Sequence, residues 1–466
     1  MRYSCFTKVA GKEGSEQAEQ RAMSVSEPVG LPEAAEGLGK RVRTLRGAAG
    51  LTQTELAAGR FTKEYLSQIE RGKTRPTVGT VTSLAEQLGV DATLLLTGVS
   101  ATERSRWEAT LARAAALNEQ YQYAEAAPEF AQVRIVAQAA GAKELELRAL
   151  TGEGWARMQE GDLKEAMSLL SEARSLAEDA RFSDIERADA LFRLGACRYQ
   201  LSSISTAVGL FDAALELADR SELPSDLLRA QIFRWRSRCY RRQRDWQAAR
   251  EDVERALELV EGLNDRRAAA QVYFQASLIA EREGRWVLAR SYAERARAYY
   301  EELADRENVG RLLNNLGGLT YLLGRPDDAI AYLKDSLRVL LDEGIDEEAA
   351  HVISSLAEVY LGTGRPVDAE TQARRALELL GDRTDFLAEI GTAQLTLGRA
   401  LLEQDRLDEA QATLSAADSS FEQLSSTSHR AAAWVALGDV AAKRDDDREA
   451  ARLYRRAAET LQDFRF

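Results

Sequence analysis

The chain has 466 residues, 45% hydrophobic and 29% charged, with a formal net charge of −13 and only 7 prolines. That length exceeds a single compact core, so two or more domains or an elongated repeat are expected, and the abundance of Ala, Leu, Glu and Arg points to an all-α protein. No apolar run reaches the ~18 residues of a membrane span, and the first residues lack the apolar stretch of a signal peptide. Cys5, Cys197 and Cys239 are three and far apart, which excludes a disulfide framework and points to a reducing, cytoplasmic setting. The net charge hides an asymmetry. Residues 36–98 hold nine Lys and Arg against six Asp and Glu, net +3, whereas residues 99–466 are net −15. A small basic head is thus joined to a large acidic body.

In chain order, residues 1–35 read as a disordered tail: Gly11–Gln20 is polar and charged, and Pro28, Gly30 and Pro32 interrupt the stretch behind it. Met23 is an alternative start. Residues 36–98 read as five short helices. The first spans about 38–49, with Leu38, Val42 and Leu45 on one face and Gly50 as its stop. Thr52 caps the second, and Glu55 three residues later completes a capping box. The turn Gly59-Arg60-Phe61 leads to Thr62, which caps a third helix over 63–71 with Leu66 and Ile69 inward. Pro76 ends the next loop. Val78, Val81, Leu84 and Leu88 mark the fourth helix, Gly89 closes it, and Asp91 caps a last short turn.

From about residue 103 to the C-terminus one unit is written nine times. Its mark is a small residue inside a helical hairpin: Ala126, Ala166, Ala207, Ala249, Ala289, Ala329, Ala369, Ala410 and Ala450, spaced by 40 to 42 residues. A turn such as Gly161-Asp162 or Gly324-Arg325-Pro326 precedes most of them. A larger residue follows four positions on, as at Leu170, Phe211, Val253, Leu333 and Leu414, and another small one seven positions on. Antiparallel helices need small residues where they cross and large ones where the next hairpin packs. A lone hairpin cannot bury its face, so the units are expected to stack as an α-solenoid of about nine helical hairpins over 103–466.

The run Leu51-Thr52-Gln53-Thr54-Glu55-Leu56-Ala57, then Tyr65-Leu66-Ser67-Gln68-Ile69-Glu70-Arg71-Gly72-Lys73 and Pro76, resembles the phage repressor/Cro-type helix-turn-helix family. Its turn, Gly59-Arg60-Phe61, is a residue shorter than the common pattern. The repeats resemble tetratricopeptide repeats, with Leu-Gly pairs at Leu194-Gly195, Leu316-Gly317, Leu397-Gly398 and Leu437-Gly438, in a 40-residue rather than 34-residue version that implies roughly one extra helical turn in each helix. The joined architecture resembles transcriptional regulators that sense signalling peptides through such repeats.

The first resemblance implies that the third helix enters the major groove of double-stranded DNA. Lys63, Glu64 and Gln68 are then the base-reading candidates, since these side chains can address guanine, cytosine and adenine edges. Thr62 sits at the start of that helix, Gln53 is placed to hold a phosphate, and Arg60, Arg71, Lys73 and Arg75 flank the groove. Arg46 and Glu70 match a buried ion pair of this family. A head of net +3 neutralises few phosphates, so a homodimer is expected.

In the body, counting back from each anchor alanine picks out the inward side chains of the first helices: Phe192, Arg193 and Tyr199; Arg234, Trp235, Arg238, Arg241 and Arg242; Phe274 and Gln275; Arg311, Asn314, Asn315 and Tyr321. An arginine-rich patch with aromatics in an acidic domain suits a peptide or acidic segment, with Asn binding backbone amides and Arg forking onto carboxylates. The competing reading pairs these arginines with neighbouring glutamates and packs the aromatics between hairpins. No phosphate-binding glycine loop, zinc spacing or partnered histidine is present (His351 and His429 lie in different repeats), so neither a cofactor nor an enzyme is expected. The expected function is sequence-specific transcriptional regulation set by a peptide or protein bound to the repeats. The alternative is a non-enzymatic interaction scaffold that the head tethers to DNA.

Overall fold

The computed structural model describes residues 37–462 apart from positions 75, 382, 384, 385 and 425. The tail over 1–35, Cys5 and Arg75 therefore lie outside the described residues. All regular structure among the described residues is helical. The chain divides into two compact units, one ending at Phe182 and the other starting at Ser183.

In the first unit, α1 (Leu38–Ala48), α2 (Gln53–Ala57), α3 (Lys63–Glu70), α4 (Val78–Leu88) and α5 (Ala92–Thr97) form the head. Four of the five starts are fixed by a local side-chain cap. Thr52 and Glu55 form both halves of a capping box, and Thr62, Thr77 and Asp91 each accept a backbone N–H of their first turn. Val42, Leu56, Leu66, Ile69, Val81, Leu84 and Leu95 close one core. Gly39 is required there: a Cβ at that position would sit 2.1 Å from the carbonyl oxygen of Ile69, so α1 and α3 cross with no room for a side chain. Arg41 ties α1 to the end of α5, donating from Nε to the Leu95 carbonyl at 2.9 Å and from Nη2 to that of Leu96 at 2.7 Å. These groups satisfy two carbonyls that the helix end leaves without partners. The same unit continues with hairpins α6 (Ala101–Glu119) with α7 (Tyr123–Ala140), and α8 (Lys143–Gln159) with α9 (Leu163–Ala177).

The second unit contains seven hairpins. They are α10 (Asp184–Gln200) with α11 (Ile204–Arg220), α12 (Asp226–Gln243) with α13 (Trp246–Glu261), α14 (Arg266–Arg282) with α15 (Trp286–Glu302), and α16 (Arg306–Leu322) with α17 (Pro326–Asp342). They continue as α18 (Asp346–Gly362) with α19 (Pro366–Leu380), α20 (Leu387–Glu403) with α21 (Leu407–Gln423), and α22 (Thr427–Lys443) with α23 (Asp447–Gln462).

The anchor spacing has a direct physical cause. All nine anchor alanines are buried. The large residue four positions later presses onto a glycine of the preceding helix: Leu170 onto Gly154, Phe211 onto Gly195, Leu333 onto Gly317 and Leu414 onto Gly398. A Cβ on any of these glycines would approach its neighbour within 2.5–2.8 Å. The glycines of the Leu-Gly pairs are thus seats for the second helix in the hairpins that carry them. The turn is equally fixed. The residue five positions before every anchor has positive φ: Tyr121, Gly161, Ser202, Arg244, Gly284, Gly324, Gly364, Asp405 and Asp445. Four repeats use glycine there, and the other five hold an L side chain in the left-handed region at a cost of roughly 1 kcal/mol each.

Candidate DNA-reading helix and ligand face

In the head, burial of Leu66 and Ile69 orients α3 so that Lys63, Glu64 and Gln68 are exposed. Behind them lies a charged network. Arg46 donates from Nε and Nη2 to the two carboxylate oxygens of Glu70 at 2.6 and 3.3 Å, and from Nη1 to the Leu51 carbonyl at 2.7 Å. Gln53 adds its Nε2 to Glu70 at 2.7 Å. Burial raises the pKa of Glu70, but the bonds from Arg46 and Gln53, with the charges of Arg46 and Arg43, outweigh it and hold the carboxyl below its ordinary range. The side-chain amide of Gln53 thus faces inward, which leaves its backbone at the start of α2 as the group that can meet a phosphate. Arg60 pairs with Glu86 at 3.0 Å on the surface, Gln68 accepts from the Thr74 hydroxyl at 3.1 Å, and Thr62 spends its hydroxyl on the cap. Arg71 and Lys73 are exposed beyond the end of α3.

In the second unit the first helices of successive hairpins adjoin. Tyr199 on α10 and Trp235 on α12 meet edge to face at 5.6 Å, and Ser277 on α14 donates to Asn315 Oδ1 on α16 at 3.0 Å. The candidate residues fall on this shared face in two states. Some are occupied. Asn315 also donates to Glu281 at 3.1 Å, and Arg311 pairs with Glu307 and Glu348 at 2.8 and 2.9 Å. Trp235 is buried, and Phe274 and Tyr321 are half-buried. Others have no carboxylate. Arg238, Arg241 and Arg242 make no ion pair among the described residues. Arg238 lies over Trp235 at 4.4 Å and Tyr199 at 4.9 Å, Arg242 over Tyr199 at 4.6 Å, and Arg234 over Trp235 at 5.6 Å. Desolvation pushes the Arg238 guanidinium below its ordinary range; the neighbouring charges of Arg241 and Arg242 push the same way, while Tyr199 opposes.

A model of the helix-turn-helix domain matches residues 38–97, and tetratricopeptide-repeat models match 266–342, 354–420 and 395–463. An uncharacterised HTH-type transcriptional regulator, y4dJ of Sinorhizobium fredii (strain NBRC 101917 / NGR234), is 44% identical over 61 residues, which are 13% of this chain and 79% of that protein. The chain belongs to the helix-turn-helix transcriptional regulators. Beyond the head, this regulator shares its fold with solved repeat proteins. The apo form of RapI superposes with a TM-score of 0.60 at 12% identity, covering 76% of this chain and 97% of RapI. The apo quorum sensor NprR from B. thuringiensis gives 0.59 at 14% identity, covering 77% and 99%. A Rap protein complexed with competence and sporulation factor gives 0.50 at 15% identity, covering 76% and 99%.

The first-helix face of the second unit holds further residues at the same repeat position as Arg238. Eleven positions before the anchors stand Arg238, Leu278, Gly318, Glu358 and Arg399. The same count that gave Arg238 gives the others. Desolvation raises the Glu358 carboxyl above its ordinary range, against the opposing charges of Arg399 and His351. His429 is exposed on α22 and stacks on Phe421 at 4.9 Å, with Nδ1 2.7 Å from the Ser426 hydroxyl. Cys197 and Cys239 are buried, and desolvation pushes their thiols up to about 11 and about 12, which makes them inert. No described helix is long and apolar enough to cross a membrane.

Proposed function

We propose that residues 36–98 read an operator as the head of a homodimer, and that a peptide or protein bound to the repeats over 103–466 sets operator affinity. The observation that carries this reading is the capped α2–turn–α3 unit, with Lys63, Glu64 and Gln68 exposed on a helix whose other face is locked by Leu66, Ile69 and Glu70. Gln53, Thr62, Arg60, Arg71, Lys73 and Arg75 are the candidates for phosphate and backbone contacts. One head of net +3 neutralises few phosphates, so two heads on half-sites about 34 Å apart supply the affinity. For the body, the support is the shared fold with a quorum sensor and with a Rap protein complexed with competence and sporulation factor. The ligand candidates are Arg234, Trp235, Arg238, Arg241, Phe274, Arg311, Asn314, Asn315 and Tyr321. A ligand regulates only by binding one arrangement of the two heads better than another.

Genome-wide occupancy of the tagged regulator, beside a Lys63→Ala/Gln68→Ala variant, tests the head. Discrete peaks sharing a two-fold motif, and lost in the variant, are expected. Peaks that the variant leaves unchanged would show that α3 does not read bases. Sedimentation of the full chain with and without operator measures the dimer.

A further inference from the structure

We propose that Thr74 is a specificity-determining residue: its hydroxyl turns the Gln68 amide so that α3 offers only N–H donors there and selects guanine at the base Gln68 meets. The proposal rests on the reading of α3 as the base-reading helix and deepens it, naming a base and the residue that chooses it.

A glutamine amide carries one acceptor oxygen and two N–H donors on a single plane. Its orientations ask for different bases in the major groove. With oxygen and nitrogen both turned to the groove, it pairs with the N6 donor and N7 acceptor of adenine. With the nitrogen alone turned outward, it meets only acceptors. Guanine presents N7 and O6 side by side, whereas cytosine presents a donor that opposes it. An exposed glutamine reaches both orientations, because its terminal torsion is broad. Residue type alone therefore points to adenine, and a neighbouring group is needed to decide otherwise.

The end of α3 supplies that group. Gly72, with φ of 69°, reverses the chain. Its N–H bonds to the Ile69 carbonyl at 2.9 Å, and the Lys73 N–H bonds to the Gln68 carbonyl at 2.9 Å, the two bonds that close a helix on a left-handed glycine. The residue next to Thr74 is thus tied back to Gln68 itself. The Thr74 hydroxyl then donates to Oε1 of Gln68 at 3.1 Å. That bond holds the amide oxygen toward the C-terminal end of α3. Nε2, on the other branch of the amide, is turned away from Thr74 with both donors unspent on it. Among the described residues, Gln68 is the one base-reading candidate whose side chain a neighbour orients, while Lys63 and Glu64 stand exposed beside it. A side chain oriented before binding loses less freedom at the interface, so the held orientation is the one favoured on DNA.

The test is in vitro selection of random-sequence duplex DNA by the full chain, read by sequencing. Wild type is expected to enrich a motif with one column in which guanine exceeds adenine about tenfold, and Q68A should flatten that column alone. T74V keeps the shape of the side chain and removes the donor. Its guanine preference in that column should fall about fivefold, the worth of one neutral hydrogen bond, with adenine rising. T74S keeps a hydroxyl and should restore guanine. Amide protection at Leu66 and Ile69 checks that α3 is intact in each variant. Three results overturn the orienting role while leaving α3 as the reading helix: a motif that Q68A does not touch, a Gln68 column that favours adenine in wild type, or a guanine preference that survives T74V. A uniform loss of affinity in T74V with an unchanged motif overturns it as well and makes the Thr74 hydroxyl a phosphate contact. No enriched motif, or one that K63A/Q68A leaves unchanged, refutes base reading by α3 and the proposal with it.

Discussion

Replacing Arg46 by Met removes one partner of the most enclosed charge pair in the head. The Glu70 side chain is 3% exposed and that of Arg46 17%, so the carboxylate left behind cannot recover its hydration. Breaking such a pair from one side costs about 3–5 kcal/mol. A head of about 60 residues has roughly 3–9 kcal/mol in all, at 0.05–0.15 kcal/mol per residue, so the substitution removes most of it. The repeats do not unfold in one step with the head, which makes a whole-chain melting temperature a poor gauge. The assay is therefore amide exchange at Val42, Leu66 and Ile69 in the full chain, where protection is expected to fall with the head's stability. Adding Glu70→Gln removes the stranded charge while leaving an oxygen for Gln53, and should return about 1–2 kcal/mol. Because the folded pKa of Glu70 is depressed, its stabilisation is present above the ordinary value of 4.5 and is lost as pH falls through the lower folded value. Wild-type protection should decline in that acid window, and E70Q should flatten the decline. A double variant no more protected than Arg46→Met alone would refute the stranded-charge argument.

Gly317→Ala and Gly318→Ala form a matched pair one residue apart. A Cβ on Gly317 meets Leu333 at 2.7 Å, so overpacking of about 1–3 kcal/mol is expected by denaturant unfolding of the second unit. A Cβ on Gly318 meets nothing within 4 Å, and alanine there should stabilise by roughly 0.5–1 kcal/mol; a cost at Gly318 equal to that at Gly317 would dismiss the seating argument. Ala304→Gly relieves an exposed left-handed residue with φ of 53° and should raise stability by up to about 1 kcal/mol in the same experiment, with a loss counting against the strain. Glu358 has a folded pKa above its ordinary value, so it favours the fold at low pH and opposes it as pH rises through that value. Glu358→Gln should therefore melt higher than wild type at pH 8, with the difference shrinking as pH falls through the raised folded value and gone by about 4.5; an effect independent of pH would assign it to something other than charge.

The head was legible because its signals are local. A capping box spans four residues, and a helix face repeats within a turn or two, so Thr52-Glu55, Thr62 and Asp91 announce their elements without reference to anything distant. The hairpins were legible for a different reason: close crossing of antiparallel helices demands a small residue at a fixed place in every copy, and nine buried alanines mark it. The turn was only half legible. Gly161, Gly284, Gly324 and Gly364 advertise positive φ, whereas Tyr121, Ser202, Arg244, Asp405 and Asp445 adopt it with no sign in their identity. There the packing of the two helices imposes the turn, and the residue yields.

Tertiary structure alone decided which polar groups are spent. Arg236 and Arg238 are two residues apart and chemically the same. A helix turns about 100° per residue, so one faces the buried Asp252 of its own hairpin and the other stands on the aromatic pair Tyr199 and Trp235. Asn314 and Asn315 are adjacent, yet Asn315 is held by Ser277 and Glu281 while the Asn314 oxygen has no partner. The helices, their caps and the period of the repeat follow from the order of residues, because they depend on neighbours within a few positions or on a pattern that recurs. The partners of a given arginine or asparagine lie up to a full repeat away along the chain and an ångström-scale distance away in space, and only the packed fold brings them together.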